Sequence, residues 1–375
     1  MSDARHGDRR YGGLLFLPWL FGMLAYWLIV VADPYHLRNT STLYSLAEHR
    51  YPDLEWPRLM GVVTAHTHDL VLLGGSSGMP ITANMMREAF PGAQSPVNLS
   101  YLAQRPLDMP LILPRIAQIA GLRHVILFMD FSLLDSAPRP SPTGRMLARI
   151  AETNWSHNAE FGISTALASL HALVTGTYDS PGWSVIDGPE FMAGGEPVTR
   201  SAELIRRFQG AVRRHSNDVF GKSTLTCSQI PYLQASLVPF LREMTQKHVT
   251  VDLVFPLVPF VLYYDWFEFR PPLNDTLLRG AVFDQLMTFK KCVISARDEV
   301  GASGIRVIAV DWNESLAGDL GLYFDTIHPI DPGVYRAELR MIASGDETIT
   351  ADSIDRYEAE VRNKISQWAA RFCAQ

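Results

Sequence analysis

Five short stretches, Leu70 to Gly74, Pro96 to Leu99, Val125 to Met129, Val249 to Phe255 and Ile305 to Val310, are mostly apolar, rich in β-branched residues and closed by turn residues. Near-continuous apolar runs of this length suit strands covered on both faces, because a half-exposed strand would alternate. Between them lie segments with helical periodicity: Pro80 to Phe90, Pro106 to Ala120, Ala281 to Val300 and Pro332 to Ser344. Strands alternating with helices predict an α/β domain of three layers, flavodoxin-like, around a five-stranded mostly parallel sheet. In such sheets the chemistry sits beyond the C-terminal ends of the strands. Residues 131 to 247 break the alternation, since they separate the third and fourth strands by far more than a crossover needs. They read as a helical insertion, with a proline-rich loop from Ala137 to Gly144 and amphipathic segments at Ala202 to Arg214 and Leu233 to Gln246. A lid, a docking surface and an elaboration without direct role are all compatible with it.

Upstream of the α/β part, Tyr11 to Ala32 carries no charged side chain and is long enough to cross a bilayer as a helix. Arg5, Arg9 and Arg10 precede it and Asp33 follows, which places the N-terminus in the cytoplasm and the rest of the chain outside. In a bacterium that is the periplasmic or outer face. A cleaved signal peptide shares the basic-then-apolar order, but the run is long and no small-x-small site follows. The sequence thus divides into a cytoplasmic N-terminus (1–10), an anchor (11–32), a juxtamembrane segment (33–66) and the α/β domain (67–375).

A formal charge of −6 with both signs interspersed gives no reason to expect a nucleic-acid partner. The cysteines, Cys227, Cys292 and Cys373, lack CxxC spacing and neighbouring histidines, which excludes a zinc knuckle and a dense disulfide framework. A bridge between Cys227 and Cys292 stays open beside the plainer reading of free thiols. His66-Thr67-His68-Asp69 has the composition of a metal site but precedes the first strand, at the wrong end of the sheet for a site, and reads as a loop cluster. No metal or cofactor is called for.

Two pieces carry chemistry. The first strand runs into Gly74-Gly75-Ser76-Ser77-Gly78 just before a helical segment, whose N-terminal N–H groups and positive dipole end face the turn. A serine there sits where an oxyanion would be stabilised. Near the other end, Asp325 and His328 stand at i and i+3 in Phe324-Asp325-Thr326-Ile327-His328-Pro329. On a tight turn that spacing lets the carboxylate orient one ring nitrogen and leaves the other as a base. An isolated acid-x-x-His would more simply be a surface turn, and a lone Gly/Ser turn a loop or a phosphate cradle.

Together, a Gly-x-Ser turn after the first strand and an Asp-x-x-His after the last resemble the SGNH (GDSL-type) hydrolase superfamily. The likeness extends to a membrane-anchored branch similar to the D-alanyl transfer protein of teichoic acid modification and the alginate O-acetylation proteins. It rests on the N-terminal span, Asp33-Pro34-Tyr35, the LGGSSG turn, Val97-Asn98-Leu99-Ser100, Ile126 to Phe131 and Phe255-Pro256-Leu257-Val258-Pro259. The resemblance implies Ser77 as nucleophile, His328 as its base and Asp325 as the residue that holds the ring. It also implies an ester hydrolase or O-acyltransferase acting on a cell-envelope polysaccharide or other acyl ester, with a membrane-bound O-acyltransferase as partner. Superfamily members supply oxyanion donors from a second-motif glycine and a third-motif asparagine. Here those places read Asn98-Leu99-Ser100 and Asp130-Phe131-Ser132. Donors would then be the Ser77 N–H, the N–H near Ser100 and the Asn98 side chain. The rival readings are a non-catalytic accessory protein of an envelope acylation system and a phosphate- or nucleotide-binding flavodoxin-like domain. Tyr263 to Arg270 either lines an acyl or glycan pocket or packs, and Asn154, His157 and Asn158 in the insertion lack a supporting pattern.

Overall fold

The computed structural model describes residues 20–27, 67–101, 104–134, 141, 197–216, 218–268, 281–325 and 327–374. Everything described from residue 67 onward belongs to one compact unit. Five parallel strands form its sheet: β1 (Leu70–Leu73), β2 (Pro96–Asn98), β3 (His124–Phe128), β4 (Thr250–Phe255) and β5 (Ile305–Ala309), in the order β2-β1-β3-β4-β5. All five expected strands are present, within a residue or two of the apolar runs. The order reverses after β2, so β1 and β3 flank the switch point where open α/β sheets bind ligands.

Eight helices of seven residues or more accompany the strands among the described residues: α1 (Ala83–Ala89), α2 (Met109–Ile116), α3 (Ala202–His215), α4 (Val238–Gln246), α5 (Leu262–Glu268), α6 (Val282–Val300), α7 (Pro332–Ser344) and α8 (Ile354–Ala374). α1 packs against α7, while α4 packs against α6 and β4. A parallel sheet of this order takes its crossover helices on both faces. The strands are accordingly buried on both sides: Leu70 to Leu73 and Val125 to Phe128 are all 1% exposed or less. Each such side chain contributes roughly 1.5–3 kcal/mol of burial.

Polar side chains also lock the sheet. Arg306 on β5 donates from Nε and Nη2 to the two oxygens of Asp252 on β4, each at 2.7 Å, and His124 Nε2 on β3 lies 2.7 Å from Asp252 Oδ2. Burial works to raise the Asp252 pKa, but the hydrogen bonds and charges of His124 and Arg306 outweigh it and hold the carboxyl below its ordinary value. At the opposite end of β5, buried Lys290 of α6 pairs with Asp311, whose other oxygen accepts from Tyr357 of α8 at 2.5 Å.

Some of these expectations change, and others are met. Cys227 and Cys292 form a disulfide, joining the end of the insertion to α6 across 65 residues, so they are not free thiols; Cys373 is free. The aromatic stretch after β4 opens as helix α5, with Tyr263 and Tyr264 wholly buried, which is the packing role. The oxygens of Asp69 accept from the N–H groups of Gln94 and Ser95, and His68 Nδ1 lies 3.2 Å from Ser95 O, so both tie β1 to the loop before β2. The long C-terminal helix α8 was not anticipated. Of the expected anchor at 11–32, residues 20–27 are described: they are helical and expose Leu20, Phe21, Met23, Leu24, Tyr26 and Trp27. No helix among the described residues is long and apolar enough to cross a membrane, and the rest of that segment lies outside them. The same is true of His66, Asn154, His157, Asn158 and most of the insertion.

Candidate active site

β1 ends at Leu73, and the chain then turns sharply through Gly74 to Gly78 toward α1, with Gly78 N–H bonded to Gly75 O. The turn presses on the end of β3. A Cβ on Gly74 would stand 2.9 Å from Phe128 Cβ, one on Gly75 would stand 2.5 Å from Asp130 Oδ2, and one on Gly78 2.6 Å from Ser100 Oγ. The absence of side chains therefore permits the approach that buries Ser77, which is 5% exposed.

Ser77 Oγ donates to Asp130 Oδ1 at 2.8 Å, and the other oxygen of that carboxylate accepts from Gly75 N–H at 2.7 Å. Asp130 stands two residues past β3, beside the turn because β3 pairs with β1. It is 4% exposed. Burial raises its pKa above the ordinary carboxylate value, against the lowering effects of the Ser77 and Gly75 hydrogen bonds and of His328.

His328 and Asp325 meet as the i, i+3 spacing predicts. His328 Nδ1 lies 2.7 Å from Asp325 Oδ2, which places a proton on Nδ1. Asp325 Oδ1 accepts from the N–H groups of Ile327 and His328, both at 2.7 Å, so the carboxylate is fixed before it orients the ring. Phe324 stacks on the imidazole with centroids 5.4 Å apart. Burial opposes ionisation of Asp325, yet the His328 hydrogen bond and charge and the two N–H donors bring its pKa below the ordinary value. Helix α7 begins just beyond, with Asp331 as N-cap and Pro332 at its first position, so the turn has a rigid exit.

The Ser77 turn leads toward α1 and the Asp325–His328 turn toward α7, and these two helices pack together; the His328 charge also acts on Asp130, lowering its pKa against burial. Among the described residues, however, the Ser77 hydroxyl is bonded to Asp130 and forms no hydrogen bond to His328, and His328 Nε2 is unbonded. The two expected donors on the β2 side are already engaged. Asn98 Nδ2 donates to Gly78 O and Ile81 O, each at 2.7 Å, and Asn98 Oδ1 accepts from Ser100 N at 2.9 Å. Asn98 thus braces the turn from below, and either group would have to break a bond to serve an oxyanion. Among the described residues no acceptor is bonded to the Ser77 N–H.

A second buried acid interacts electrostatically with Asp130. Glu338, on the inner face of α7 and 2% exposed, accepts from Leu257 N–H at 2.7 Å. Burial, with a smaller contribution from the nearby Asp130 charge, raises its pKa to about 8 against the Leu257 hydrogen bond. Asp130 and Glu338 are the site residues that sequence reasoning missed. An acid directly after the C-terminal end of a buried strand was the available signal for Asp130. Glu338 gave none beyond a charge at a core position of an amphipathic helix.

Comparison with known proteins found no matching family model, no matching curated protein and no matching solved structure.

Proposed function

We propose that the chain is a membrane-anchored, outward-facing SGNH-like enzyme. It cleaves or transfers an ester-linked acyl group on a cell-envelope polymer through a Ser77 acyl-enzyme. The observation that carries this reading is a buried serine on a glycine turn and an imidazole already oriented by a carboxylate, on turns that lead into the packed helices α1 and α7 of a parallel-sheet fold. Asp325 holds the ring and Nε2 is the end of the imidazole open to exchange protons. The Ser77 N–H, at the turn into α1, is the best-placed oxyanion donor. With a hydroxyl of the polymer as acceptor the reaction is transfer, and with water it is hydrolysis. A membrane-bound O-acyltransferase is the proposed partner.

The outward orientation draws support from the Cys227–Cys292 bridge, since structural disulfides persist in oxidising compartments. The competing reading, a non-catalytic accessory protein, draws on the Ser77 bond to Asp130 in place of one to His328.

The deciding experiment treats the full chain, purified in detergent, with a fluorophosphonate probe. Labelling of the wild type that disappears in Ser77→Ala supports the enzyme. Equal labelling of Ser77→Ala removes the nucleophile assignment, and a folded wild type that takes no label favours the accessory role.

A further inference from the structure

The Ser77 hydroxyl already has a proton acceptor, and it is a carboxylate. Building on the acyl-enzyme reading above, we propose that Asp130 is a catalytic residue, the general base that receives the Ser77 proton, while the Asp325–His328 pair serves the leaving group and the incoming acceptor.

The geometry meets what a base requires. Asp130 Oδ1 lies 2.8 Å from Ser77 Oγ, within the range for direct proton transfer. Gly75 N–H holds the other oxygen of the carboxylate, which sits where a Cβ on residue 75 would stand. Asp130 is bonded by Ser77 and the Gly75 N–H of the β1–α1 turn, and the charged groups that act with it electrostatically are His328 from the turn after β5 and Glu338 from α7. Burial makes this carboxylate a stronger base than one in water. His328, with Nδ1 bound to Asp325 and no partner on Nε2 among the described residues, is left to exchange a proton with an atom other than Ser77 Oγ.

The steps balance. The Oγ–H bond breaks and its proton passes to Asp130 as Oγ bonds to the acyl carbon and the carbonyl π pair moves onto oxygen. When that pair returns, the carbon–oxygen bond to the leaving alkoxide breaks, and the alkoxide takes the Nε2 proton of His328, which enters the cycle as the imidazolium with that proton drawn from solvent. Water or a polymer hydroxyl then gives its proton to His328 as it attacks the ester. Ser77 Oγ leaves with the proton stored on Asp130.

A pair of substrates tests this, because fluoride leaves a fluorophosphonate without protonation whereas an ethyl ester needs an acid for its alkoxide. Asp130→Asn is expected to slow Ser77 phosphonylation by roughly 100-fold or more. His328→Gln is expected to slow ethyl-ester hydrolysis by a comparable factor and phosphonylation by far less. Wild-type phosphonylation in Asp130→Asn together with its loss in His328→Gln would overturn the proposal and make His328 the base. Thermal unfolding checks that Asp130→Asn folds. Should it not, the pH dependence of phosphonylation in His328→Gln decides: an acid limb that persists supports Asp130, and a pH-independent rate overturns it. Labelling that survives Ser77→Ala is a separate failure, of the acyl-enzyme reading itself.

Discussion

Glu338 makes the stability of this fold depend on pH in a direction opposite to that of an ordinary paired carboxylate. In the folded chain its proton is held up to about pH 8, while an ordinary glutamate releases it near 4.5. Between those values the folded state binds one proton more than the unfolded state, so stability falls as pH rises, by up to about 1.4 kcal/mol per pH unit. The contribution is complete below 4.5 and lost once pH passes about 8. Across the whole window it amounts to at most about 5 kcal/mol, a large share of the stability of a typical domain. Glu338→Gln removes the titration and keeps a carbonyl oxygen for the Leu257 N–H. Urea unfolding from pH 5 to pH 9, followed by tryptophan fluorescence, should show the wild type losing on the order of 3–5 kcal/mol more than the variant. Asp130, also raised by burial, is present in both proteins and largely cancels in the difference. Parallel curves for the two proteins would refute the reasoning, since they would mean that Glu338 is ionised throughout.

Three further outcomes follow from other parts of the fold. Asp252→Asn should cost about 2–3 kcal/mol in urea unfolding at neutral pH, below the loss for a wholly buried pair because Arg306 and His124 are partly exposed; with Asp252 held below its ordinary value, that contribution is present above about pH 4 and vanishes as pH falls through the folded pKa, so the cost should disappear in acid. Replacing Cys227 and Cys292 by serine should destabilise the chain by up to about 4 kcal/mol, from a loop of 65 residues, and reductant should lower the melting temperature of the wild type alone. Gly75→Ala sets a methyl group against Asp130 Oδ2, and should reduce Ser77 phosphonylation about 100-fold or more as the turn shifts.

Local patterns carried most of what the sequence revealed. The strands were legible because a sheet covered on both faces demands consecutive apolar residues, and Val125 to Phe128 and Leu70 to Leu73 supply them. The Asp325–His328 pair was legible because three residues on one turn bring the two groups together without help from the rest of the fold. Ser77 and Asp130 lie 53 residues apart, and only the pairing of β1 with β3 sets their elements side by side. A sequence that lists five strands does not say which are neighbours. The same holds for Cys227 and Cys292, whose spacing carries no signature, and for Asp252, whose charge interrupts an apolar run but finds its partners on β3 and β5. Glu338 was hidden because a glutamate on an amphipathic helix is usually on the wet side.

The most direct test of the central claim is to trap the acyl-enzyme. The full chain is mixed with p-nitrophenyl acetate, quenched in acid and digested, and the peptides are mapped by mass spectrometry. An acetyl group is expected on Ser77, with more of it accumulating in His328→Gln, where the step that consumes it is impaired. An acetyl group on another residue, or none on folded wild-type protein that still hydrolyses the ester, would contradict it.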